Sequence, residues 1–409
     1  MYQYTVVSLL VCPLQWVPLH SQTHLQQGLM YGRVTTVNDD QFTGVLRWGN
    51  EEAFWDDLFI STRAPDKELF ETLSGEELDA LSGNLQEASD WSFWSLWEPR
   101  YPKHVQSFRA RYGDLHSIKV TDEDQAIVTI KSGDQILVTG GRGIGKELHI
   151  VDQDEIERRV SWHHISEVIF LRTPANARAS VVKPLVGIVY TTQGAFEGFL
   201  QWDAQERLTT DLLDGKGIGG KRSIPFSDIE EIRQEGDSSV VTLITGQRHT
   251  LGGGDDVGPG NHDIIVKSPG LGHIRIPWTQ FRFVRFYAQP AIISPGYGDF
   301  QEPQPLCLSV SLRSGEWVSG TAVFDLDERL DFETLEGRKG EIFYHIPIRN
   351  ISEVIRKNYR TSKVRFRNGD VLYLGDEHDL TDDNWGILLT DHQEKIHYIP
   401  WNQIAVIRF

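Results

Sequence analysis

One short pattern recurs six times along this chain: an aromatic or aliphatic residue, two mostly polar positions, an aliphatic residue, then another aliphatic two or three places on. The copies begin at Tyr112, Trp162, Phe226, Trp278, Ile348 and Trp401. Spacings of 50, 64, 52, 70 and 53 residues group them in pairs, and the pairs recur three times. Self-similarity of this kind dictates architecture before any motif does. Chemistry stays open.

Each long period has two dissimilar halves. The first halves open with a strand, a turn and a strand: Gly32 to Thr36 then Phe42 to Trp48, Gly187 to Thr191 then Phe196 to Asp203, and Ser309 to Leu312 then Val318 to Asp325. Apolar residues alternate there with period two, as in half-buried strands. Gly44, Gly198 and Gly320 fall where a bent strand lets backbones approach closely. The second halves begin at Ile127, Val241 and Val364, turn at Gly133, Gly246 and Gly369, and pass through a Gly/Asp loop to further strands.

Five short strands in about fifty residues make a small bent barrel. The expected fold is therefore all-β, a tandem array of about six small barrels in three two-barrel repeats at 28–173, 181–287 and 303–409. Linkers fall at Pro174 to Ser180 and Pro290 to Pro305. The first repeat alone carries a helical, Trp-rich insertion at about 65–103, where Ser74 and Glu77 read as a capping box and Gly83 as the stop.

The 409 residues include 40 Lys+Arg and 58 Asp+Glu, a formal charge of -18. Such a surface repels phosphate backbones, so a nucleic-acid partner is not expected. Tyr4 to Leu19 is apolar but broken by Pro13, Gln15 and Pro18, too short to span a bilayer. Residues 1–21 read instead as an export signal, although without a basic start, and place the protein in the periplasm or the medium. The alternative is a frayed N-terminal strand in a cytoplasmic protein. Two cysteines, Cys12 and Cys307, exclude a disulfide framework and a Cys-rich zinc site, and Cys307 is expected to be a small buried strand residue.

The run from Val186 to Asp203, with Gly194, Phe196, Gly198, Leu200 and the Trp202-Asp203 pair, resembles the leading motif of the Sm and Sm-like proteins. The resemblance covers roughly thirty residues in each of three places and implies small SH3-like barrels. Where that family carries an asparagine for RNA contact, this chain has Glu52, Glu206 and Glu328, and an ionised carboxylate cannot donate to a base edge. The whole chain also resembles bacterial exported proteins built of such repeats, which brings no activity with it.

Thr139 to Glu147 imitates a phosphate-binding loop, but Glu147 stands at the hydroxyl position and a strand follows, so a Gly-rich hairpin is expected. The acidic loops carrying Asp255, Asp256 and Asn261, and Asp379, Asp382, Asp383 and Asn384, offer oxygen donors that suit calcium. They lack the alternating order of a calcium loop, and Asp and Asn also favour plain turns. Glu52, Glu206 and Glu328 suit acid or base work only if buried near a second carboxylate; recurring once per repeat, they read as structural. His163, His164, His345 and His397 lack metal-ligand spacing. Trp91, Phe93, Trp94, Trp97 and Tyr101 form an aromatic cluster suited to a protein or glycan partner in the cell envelope, or to packing.

The expected function is a non-catalytic, exported binding or structural module without a cofactor. Two alternatives are a nucleic-acid binder resembling a single-chain Sm-like ring, and a metal-assisted hydrolase using the acidic loops. No nucleophile elbow or His-Glu-x-x-His supports an enzyme.

Overall fold

In the computed structural model the described residues are 28–77, 106–175, 177, 183–287 and 294–409. The proposed export signal and the cluster Trp91, Phe93, Trp94, Trp97 and Tyr101 lie outside them. The chain is all-β, with one antiparallel sheet of ten strands within 31–170 and one of twenty across 185–408. No helix among the described residues is long and apolar enough to cross a membrane.

The six recurring motifs mark one local event. Tyr112–Asp114, Trp162–His164, Phe226–Asp228, Ile348–Asn350 and Trp401–Gln403 are single 3-10 turns, and 278–280 is a plain turn. Each buries its leading residue and delivers the chain into a strand whose first and fourth residues face the core, as Ile165 and Val168 do.

Strand partners depart from the contiguous barrels expected. Tyr31–Thr36 pairs with Gln41–Trp48 and Ile165–Phe170, while Gln41–Trp48 continues onto Leu148–Val151 and so to Glu157–Val160. The intervening strands make a second set of five, in which Leu58–Arg63 pairs with Gln106–Arg111 and meets Gln135–Thr139 at Thr62. Leu115–Asp122 and Gln125–Ile130 complete it, and Leu115–Asp122 also joins Ile165–Phe170. Each half of the segment thus exchanges strands with the other. The same nine pairings recur across 185–286 and across 307–408. The loop from Gly140 to Glu147 is consequently no hairpin: it carries the chain from one five-stranded set to the other.

The three segments pack together. Gly272–Ile276 pairs with Ile342–Pro347, setting His273 opposite His345 and fusing the second and third segments into one sheet. Phe300 and Phe332 enter the core of the first segment, and Tyr297 donates its hydroxyl to the Leu115 carbonyl at 2.8 Å. The capping box forms, with Ser74 N–H on Glu77 at 2.7 Å and Glu77 N–H on the Ser74 hydroxyl at 3.3 Å. Just before it, Leu69, Phe70 and Leu73 pack on Leu326, Trp385 and Leu388. The described start of the insertion therefore clamps the first segment to the third. Cys307 is exposed, contrary to expectation, because Leu308 and Val310 take the inward positions of its strand.

Candidate functional site

Glu52, Glu206 and Glu328 hold one position in three segments: each follows Trp48, Trp202 or Phe324 by four residues and makes a bridge back to it. One carboxylate oxygen of each is buried without a hydrogen-bond partner. Burial lifts Glu52 to about 8, with Asp57 and Glu51 adding to it. Burial likewise lifts Glu206 to about 8, reinforced by Asp256, and Glu328 well above the carboxylate range, reinforced by Asp327. All three carboxyls are thus turned inward.

The surroundings differ among the three. In the second segment the carboxylates of Asp203, Glu206 and Asp256 lie within 4.8 Å of one another. Asp203 accepts from the His262 N–H and sits 3.1 Å from that ring's Nδ1, while Asp256 accepts from the Asp214 N–H at 2.6 Å. Burial raises both, Asp256 to about 6. In the third segment Asp325, His378 and Asp379 form the corresponding group. Against the effect of burial, Asp325 at 2.6 Å from its ring raises His378 to about 9. In the first segment Trp48 Nε1 donates to the Gly143 carbonyl as Trp202 Nε1 donates to that of Asp256, so Gly143 stands where the aspartate would. Lys146 and Glu51 pair beside it at 2.8 Å.

Of the calcium candidates read from sequence, Asp256 and Asp379 enter these groups. Asn384 lies beside Asp379: its amide donates to the Asp379 carbonyl at 2.9 Å and accepts from the Gly386 N–H at 2.7 Å. Asn261 is buried with neither amide atom partnered. Asp255 is exposed, Asp382 pairs with Arg356, and Asp383 accepts from Thr381 at 3.2 Å. Asp203 stands out in the sequence as the acid after Trp202, but nothing in the sequence ties Asp203 or Asp325 to the acidic loops about fifty residues on that meet them.

A second feature lies where the three segments meet, a cavity of about 270 Å³. Leu58 and Arg111 from the first segment, Phe199, Lys267 and His273 from the second, and Phe332, His345 and Asn350 from the third line it. Behind it Asp57 is fully buried, accepting from the N–H groups of Ala53 at 2.6 Å and Phe54 at 2.8 Å and pairing with Lys267 and, at 2.8 Å, Arg207. Although burial opposes it, the charges of Arg207 and Lys267 hold Asp57 well below the usual carboxylate range. Burial and Arg207 push Lys267 down.

Both cavity histidines are uncharged at neutral pH. Burial, with Lys267 nearby, holds His273 well below its ordinary value, and its Nε2 donates to the Asp56 carbonyl at 3.1 Å. Burial, with Arg109 nearby, lowers His345 to about 3. His345 Nδ1 and Asp56 Oδ1 are buried without hydrogen-bond partners. Comparison with family models, with curated proteins and with solved structures finds no match to this chain.

Proposed function

We propose that the chain is a non-catalytic, exported binding protein of three units, each of two small strand-exchanged barrels, that holds a small organic ligand in the cavity where the units meet. The observation that carries this reading is the convergence of perturbed, buried polar groups on one partly apolar hollow lined from all three segments. Such a combination is the usual mark of a ligand site. Leu58, Phe199 and Phe332 supply apolar wall, and Arg111, Lys267, His345 and Asn350 supply polar contacts. Lys267 is already neutralised by Asp57 and Arg111 by Asp114, so the fitting ligand is uncharged, with an apolar body and a carbonyl or amide end.

The test is a thermal-shift and calorimetric screen of small uncharged carbonyl compounds and amides, with native mass measurement for any molecule carried through purification. A ligand at a hundred times its Kd stabilises by about 2.7 kcal/mol. Thr334→Trp, which fills the cavity, should abolish that shift while the unliganded protein stays folded. Absence of any binder, or a shift unchanged by Thr334→Trp, would remove the cavity from consideration.

A further inference from the structure

We infer that Asp203, Glu206, Asp256 and Asn261 form a calcium site in the second segment. Three carboxylates within 4.8 Å are not by themselves a site. Two independent observations point to a cation here.

The first is the state of Asn261, 7% exposed with neither its amide oxygen nor its amide nitrogen partnered. A buried amide with both ends unmet is costly, because each end gives up a hydrogen bond that water would have made. Its counterpart in the third segment, Asn384, has both ends satisfied within its own loop. Asn261 stands in the chain between Asp256 and His262, so the idle amide belongs to the loop that supplies one carboxylate, Asp256, and adjoins the residue whose N–H holds a second, Asp203.

The second is a comparison among the three equivalent places. In the first, glycine replaces the loop aspartate and Lys146 stands against Glu51. In the third, the ring of His378 bonds Asp325 directly. The second gathers three carboxylates, with the His262 ring 3.1 Å from Asp203 and that side chain 60% exposed. The place that sets three carboxylates against one largely exposed histidine is also the place that leaves an amide oxygen unused. Glu206 Oε2, buried and unpartnered, gives a further idle donor.

The donors are all oxygen, and they come from the 203–206 turn and the 254–261 loop, which holds one short 3-10 turn at Asp255–Val257. Oxygen donors from such loops suit calcium, which takes six to eight ligands in adaptable geometry, better than magnesium, which demands a near-ideal octahedron. Four side chains leave the remaining positions to water and carbonyls.

Terbium luminescence tests this directly, because Trp202 donates its indole N–H to the Asp256 carbonyl at 2.8 Å and would sensitise an ion held there. Excitation of the full chain in the presence of terbium should give emission that calcium displaces and magnesium does not, and calcium alone should raise Tm. Glu206→Gln removes a carboxyl that can ionise onto a bound cation, without breaking any hydrogen bond made by Oε2, and should weaken terbium and calcium binding by about tenfold or more. Asp203→Asn should do the same. Asp382→Asn, in the third segment's loop, should leave both readouts unchanged. No emission and no calcium-dependent Tm shift at millimolar concentration would overturn the assignment. So would equal displacement by magnesium, or emission that survives Glu206→Gln in a folded protein. None of the four residues lines the central cavity, so failure of either proposal leaves the other standing.

Discussion

At the scale of single residues, the molecule places carboxyl groups where water cannot reach them and then treats them differently. Asp57 receives two cations and two backbone N–H groups and stays ionised. Glu52 receives no hydrogen bond on its buried oxygen and, lifted to about 8, is held protonated at neutral pH. A carboxyl whose folded value is raised contributes stability that is complete below its unfolded value and is lost as pH rises through the folded one. For Glu52 that window runs from about 4.5 to about 8. Glu52→Gln should match the parent in stability near pH 4.5 and exceed it at pH 9, by on the order of 2–4 kcal/mol. Denaturant unfolding across that range checks this, and a pH-independent difference between the two proteins would rule out a buried neutral Glu52. The residue types of the candidate site were visible in the sequence, since Glu52, Glu206 and Glu328 recur at one place. What set them apart was not visible: whether a lysine, a histidine or an idle asparagine stands opposite depends on loops further on in the chain, 95 residues from Glu51 to Lys146 and 53 from Asp325 to His378.

At the scale of elements, the alternation of apolar residues fixes which face of each strand is buried, and this was legible. So were the six turns, because an aromatic or aliphatic residue must fill the core just where the chain reverses. The bend glycines were legible for the same kind of reason. A Cβ at Gly44, Gly198 or Gly320 would run into the backbone carbonyl of Val151, Lys267 or Thr390 on the neighbouring strand. Partner choice was not legible, because two halves with the same inward pattern bury the same surface whether strands pair within a half or across halves. The exchange is open to a direct check. Arg47 and His149 face each other across the strands 41–48 and 148–151, and directly opposite residues bring their Cβ atoms within about 5.5 Å. In a Cys12→Ser, Cys307→Ser background, Arg47→Cys with His149→Cys should oxidise to an internal cross-link seen by mass and non-reducing electrophoresis. Strands paired within contiguous halves would keep these thiols apart, and no cross-link would form.

At the scale of the whole molecule, charge and apolar surface cross every boundary between segments. Arg207 of the second segment is 1% exposed and reaches Asp57 of the first, while Arg63 of the first reaches Asp327 and, at 2.7 Å, Glu333 of the third. Loss of one partner from such a buried group leaves the others uncompensated, which costs about 3–5 kcal/mol. Asp57→Ala strands Arg207 and Lys267 together and frees the Ala53 and Phe54 N–H groups. Because Phe300 and Phe332 tie the third segment into the core of the first, the damage should not stay local. Asp57→Ala is expected to lower a single unfolding transition followed alike by tryptophan fluorescence and circular dichroism. Its cost should be constant between pH 5 and pH 8, because a carboxylate held below its ordinary value gives stability that is lost only as pH falls through that depressed value. Two separated transitions, with the later one unmoved by the substitution, would mean that the segments fold as independent bodies and that a cavity shared among them is not a stable site.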